Sequence, residues 1–225
     1  EVRDMETMTG DLASMIDELM HEERVNSLPE WTGMPLGQLV TSYWHPDDID
    51  AAWRRWIEVN GHFDSIHRSR MWNRSHTVPH MEIGAHSIDL FHIDLRCKAG
   101  LHDRDRATLG LGRICQCVGS TTSQMICSAC SWHFIGEESQ ATEAWHDHAF
   151  PGWRDLPILP DKLRGQMGTR KMTPKLEEWF EAHYPAEFRV SGAPILTTRG
   201  KFGTRHVPNY SPFGGYDLSA GERTD

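Results

Sequence analysis

Four of the chain's five cysteines, Cys115, Cys117, Cys127 and Cys130, fall within sixteen residues as a C-x-C pair followed by a C-x-x-C pair. No other feature restricts the fold as much, because whatever holds these sulfurs must bring two tight turns together. Tight spacing and an odd total favour a metal ion over disulfides. Zinc takes four ligands in a tetrahedron, and C-x-C or C-x-x-C loops let two thiolates reach one ion without straining the backbone. The nine residues between the pairs suffice for a short hairpin, which is the layout of a zinc ribbon. Cys97 stands apart, after a strand-like run, and reads as a small buried hydrophobe.

A second arrangement draws a ligand from the helix expected over EESQATEAWHDHA. At about 100° per residue, Ala141, Ala144, Trp145 and His148 share one side while His146 points away. His148 therefore faces the preceding strand and the C-x-x-C turn. Cys127, Cys130 and His148, completed by Cys115 or Cys117, make a strand-strand-helix site as well closed as the all-cysteine one. In either form a Zn2+ ion saturated by protein has a folding role, with no position left for substrate. His133, inside the strand, reads as structural or as exposed on the strand's other face.

Around this unit the chain reads as α+β: a small mixed domain with a zinc-ribbon-like or strand-strand-helix zinc-binding unit, flanking helices and an irregular C-terminal segment. Residues 1–76 form a helical region, 77–160 a strand-rich zinc-binding region, and 161–225 a helix plus a Gly/Pro-rich tail, all expected to join in one compact domain. In the first region Leu12, Met15, Ile16, Leu19 and Met20 make one apolar stripe on an acidic helix, suited to core packing or to docking a partner. A second helix starts at Pro46, with Asp47 and Asp48 in its first turn, and stops at Gly61. Its inner face carries Ile49, Trp53, Trp56 and Ile57. One or two strands break near Gly84, and KAGLHDRDRATLGLG is a polar loop. The helix TPKLEEWFEAHYP places Leu176, Trp179, Phe180 and Tyr184 on one side.

The run CSACSWHFIGEESQATEAWHDHAFPGWRDLPILP resembles the signature of an uncharacterised family found in actinobacteria and their phages and plasmids. In it a C-x-x-C turn and a tryptophan precede a helix ending in DHA and then PGWR-x-LP. The matching positions are Cys127, Cys130, Trp132, Asp147, His148, Ala149, Pro151, Gly152, Trp153, Arg154, Leu156 and Pro157. The pieces LPEW, HPDD, HMEI, GAPI and GTRHVP extend the likeness over most of the chain. The resemblance implies a mobile-element context, favours His148 over His146, and supplies no activity.

Catalytic sets are incomplete. His80-Met81-Glu82 with the C-x-x-C supplies the letters of a zinc deaminase, but Ile126 stands where that signature has proline and the H-x-E lies in strand-like sequence. HPDD, His45 to Asp48, is similar to a zinc deacetylase motif, but it lacks the following glutamate and is explained by helix initiation. His76, His80, His86 and His92 with Glu82, Asp89 and Asp94 offer donors for a second, hydrolytic metal site, if Gly84 does not interrupt the alternation. No nucleophile elbow, P-loop or dinucleotide fingerprint follows a strand.

Charge bears on partners. The first 60 residues carry 13 acidic and 4 basic groups against 19 of each in the remainder, which turns the N-terminal region away from nucleic acid. Between Phe188 and Tyr216 the tail holds Arg189, Arg199, Lys201, Arg205 and His206 among aromatics and no acidic residue. Arg199, Lys201 and Arg205 could therefore meet phosphates, or the tail could wrap its own domain. With no membrane span and no signal-like start, the expectation is a cytoplasmic, zinc-stabilised, non-enzymatic accessory protein that binds a protein more readily than nucleic acid. A metal-dependent hydrolase or deaminase-like enzyme is the alternative.

Overall fold

A proline-initiated helix, an antiparallel meander and a second helix laid across it make the centre of the molecule. The computed structural model describes residues 2–37, 39–61, 70–96, 117–164, 172–199 and 203–220, with side chains from residue 12 onward. In chain order the helices are α1 (Val2–Asn26), α2 (Pro46–Asn60), α3 (Glu138–Ala149), α4 (Asp161–Arg164) and α5 (Pro174–His183). The strands are β1 (Asn73–Arg74), β2 (Met81–Ile83), β3 (His86–Asp94), β4 (Thr121–Cys127), β5 (Trp132–Gly136), β6 (Ile158–Leu159), β7 (Ile195–Thr197), β8 (His206–Val207) and β9 (Asp217–Ser219). The segment 97–116, which includes Cys97, Cys115 and the whole KAGLHDRDRATLGLG loop, lies outside the described residues. No helix among the described residues is long and apolar enough to cross a membrane.

The helices end where local chemistry stops them. At α2, His45 is the N-cap and accepts the Asp47 N–H on Nδ1 at 3.3 Å, Pro46 fills the first turn, and Gly61 at φ 76° closes the helix. The HPDD residues thus initiate a helix. The α3 N-terminus carries a reciprocal capping box between Glu137 and Gln140, and α5 is capped by Thr173 with Pro174 following.

In the main sheet β3 pairs with β4 and β4 with β5, all antiparallel, while β1 and β2 share the outer edge of β3. One face, with Phe91, Ile93 and Ile126, packs on Met34, Ile49, Ala52, Met71 and Trp72. The other, with Ile88, Leu90 and Met125, packs on Ala141 and Trp145 of α3 and continues into the C-terminal segment through Phe180, Ile195, Tyr216 and Leu218. There β6, β7 and β9 run parallel and β8 pairs antiparallel with β9, so the Gly/Pro-rich tail folds back on its own domain through strands of two or three residues. Gly192, at φ 82°, lies against Ile83; a Cβ there would stand 2.7 Å from that side chain. The stripe on α1 is not part of either core: Leu12, Met15, Ile16, Leu19 and Met20 are between 49% and 64% exposed.

Candidate metal centre

Four side chains from three separate stretches of the chain converge beside the helix α3 face of the sheet: His86, Cys127, Cys130 and His148, each offering one donor atom, all within 4.8 Å of one another. Cys127 ends β4, Cys130 closes the single 3-10 turn Ser128–Cys130, and Ser131 in the left-handed region (φ 53°) turns the chain into β5. His148 lies in the last turn of α3. His86 opens β3 just past a two-residue turn at Gly84 (φ 61°) and Ala85, with Ile83 and His86 paired across it.

Distances and packing fix the donors. The His86 Nδ1 is 3.4 Å from the Cys130 sulfur and 3.8 Å from the Cys127 sulfur. The His148 ring stacks on Trp132 at 4.7 Å between centroids and meets the His86 ring edge-on at 4.8 Å. Its Nε2 is buried with no hydrogen-bond partner, an arrangement that costs free energy unless something binds there. Burial and the neighbouring His86 push the His148 pKa below its ordinary value, which favours the neutral imidazole that binds metals. The adjoining Cys127 sulfur holds the Cys130 thiol above its ordinary value, a penalty that a cation between them would reverse.

Ser87 ties the three elements together. Its N–H donates to the Cys127 sulfur at 3.4 Å, its Oγ accepts the Ser128 N–H at 2.8 Å, and its carbonyl accepts the buried Trp145 indole N–H at 2.9 Å. Such contacts orient ligands from behind and hold a thiolate's charge. The group is compatible with a metal ion held wholly by protein.

Of the two cysteines expected to complete the site, only Cys117 is among the described residues. Cys117 is partly buried and outside the group; the spacer before Cys127 is not a hairpin but β4 itself, and its six residue steps span about 20 Å. Cys115 is outside the described residues. His86 takes the open place. The reading that put His80, Glu82 and His86 on one face fails because the chain reverses at Gly84. Glu82 pairs with Ser87 and His86 with Ile83, so His86 emerges on the opposite face. His80 instead bonds Asp89 through Nδ1 and Glu82 through Nε2, each at 3.0 Å, which leaves the deaminase letters unassembled. His92 contacts Ser123. His146 is fully buried, its Nδ1 bonded to the Thr142 carbonyl at 2.7 Å, and burial lowers its pKa to about 4.

The tail's basic residues are also engaged. Arg199 is buried against Asp217 at 2.6 Å, and Arg205 is held by Glu143 through Nε at 2.9 Å. Lys201 is outside the described residues.

Fold and site define a mixed α+β protein with a Cys2His2 donor group that could hold a metal ion. Residues 33–225 match the family of unknown function DUF6349, and the chain belongs to that family. Comparison with curated proteins and with solved structures finds no match.

Proposed function

We propose that His86, Cys127, Cys130 and His148 hold one structural Zn2+ ion, and that the protein is a zinc-stabilised, non-enzymatic accessory protein that acts by binding another protein. The single observation that carries the first half is the convergence of four donors within 4.8 Å. Zinc at about 2.3 Å from sulfur and about 2.05 Å from nitrogen, in tetrahedral geometry, requires S···N separations of about 3.6 Å. The observed 3.4 and 3.8 Å bracket that value. Two thiolates and two imidazoles suit zinc, and four protein donors leave no coordination position for a reactive water.

A clamp of this kind tethers the β2–β3 turn, the C-x-x-C turn and the end of α3, segments that are 41 residues apart or more at the His86–Cys127 step. Protein is the favoured partner because the tail arginines are already ion-paired while α1 exposes an apolar stripe. Metal analysis of purified protein tests the reading: one zinc per chain, with X-ray absorption showing two sulfur and two nitrogen scatterers, is expected. A second ion, or a coordinated exchangeable water, would replace the clamp by a reactive centre.

A further inference from the structure

The apolar face of α1 is exposed and carries Glu18 and Glu22 along one edge. Leu12, Met15, Ile16 and Leu19 are each about half exposed or more, and Met20 extends the stripe. The helix carries seven acidic residues and two arginines, and one of those, Arg24, pairs with Glu58 of α2. It stands before residue 33, where the family match begins.

The spacing is heptad. Leu12 and Leu19 stand seven residues apart with Met15 between them, and Glu18 and Glu22 make an acidic row along one edge of that stripe. Residues in that row face a partner helix's flanking charges in a two-helix pairing and select it. A second copy of this chain is a poor occupant. Antiparallel pairing sets the acidic row against itself, and parallel pairing sets Glu18 against Glu23, so that no basic residue answers it. Methionine adds an adaptable contact surface.

We infer that α1 is a docking helix for a partner protein that presents an amphipathic helix with an apolar seam and a row of Lys or Arg beside it. This deepens the protein-binding half of the reading above and is independent of its metal half.

The test uses the full zinc-loaded chain and two labelled three-heptad peptides, both with leucine at the seam, one flanked by lysine and the other by glutamate. Fluorescence anisotropy should show the lysine peptide binding more tightly by about tenfold or more, with affinity falling as salt rises. Leu19→Asp should abolish the binding, and Glu18→Lys with Glu22→Lys should invert the preference between peptides. Equal affinity for both peptides, or no response to these substitutions, overturns the inference. So does a wild-type dimer in sedimentation that Leu19→Asp disperses, since the occupant is then a second copy. Each variant is checked for zinc content and circular dichroism. Failure with one zinc retained refutes the docking helix and leaves the clamp standing.

Discussion

The two faces of the central sheet are closed by helices in different ways. On the α2 face a buried charge is neutralised from within the chain: Asp89, with no exposed surface, meets Arg74 and His80, and Arg74 reaches across to Asp50 of α2 at 2.6 Å. The Arg74 guanidinium also lies 4.8 Å over the Phe91 ring. On the α3 face the polar cluster consists of sulfurs and imidazoles with no protein cation among them, and on the proposed reading its charge is supplied by the ion. On that reading one face is complete when the chain folds, and the other only when metal is taken up.

The largest effect that could break this contrast is metal removal. Structural zinc in small peptides binds with about 10 to 16 kcal/mol near pH 7, comparable with the whole stability of a domain. Chelation, or Cys127→Ser, should therefore collapse amide-exchange protection in the β2–β3 turn, the C-x-x-C turn and the last turn of α3. Amides of α2 should retain protection longer. Equal loss on both faces, or none, would erase the distinction.

A core truncation on the opposite face gives the reciprocal result. Ile49 is 1% exposed and packs among Met34, Trp72 and Ile126, so Ile49→Ala should cost about 2 to 5 kcal/mol in chemical denaturation. Zinc stoichiometry of the folded fraction should not change. Loss of metal in this variant would mean that the faces are coupled and that neither closes by itself.

What the sequence disclosed follows the same division. Local signals placed α2, α3 and α5, because His45, Pro46 and Gly61, or Thr173 and Pro174, act within one turn of the helix ends they set. Helical periodicity was enough to put His146 and His148 on different sides. The partner of Cys127 from 41 residues upstream was not legible in the same way: the direction of His86 depends on a two-residue turn and on the strand register it imposes. Gly84 was the available signal, and treating it as a hairpin turn rather than a break would have moved His86 to the face opposite Glu82. That Cys117 stands outside the donor group was hidden for a related reason, since nine residues spell a hairpin or a straight strand equally well until β3 and β5 pair on either side of β4. The C-terminal strands escaped notice because β7 is buried at all three positions and so shows no alternation to read.

The smallest effect sharpens the contrast on the side that carries its own cation. The hydrogen bond to Asp89 raises the His80 pKa above its ordinary value, helped by Glu82, against a smaller opposing effect of burial. Because the folded pKa exceeds the unfolded one, the protonated His80–Asp89 pair contributes fully below the ordinary histidine value of about 6.5 and is lost as pH rises through the raised value. His80 is 47% exposed, so the contribution is screened and modest. The melting-temperature advantage of the wild type over His80→Gln should be greatest near pH 6, shrink toward pH 8.5, and be smaller throughout at high salt. Measuring on this alkaline side avoids the acid range in which protons compete with a bound metal for its ligands. An advantage that stays constant with pH would show that His80 acts by packing alone, and Arg74 would then be the sole cation answering Asp89.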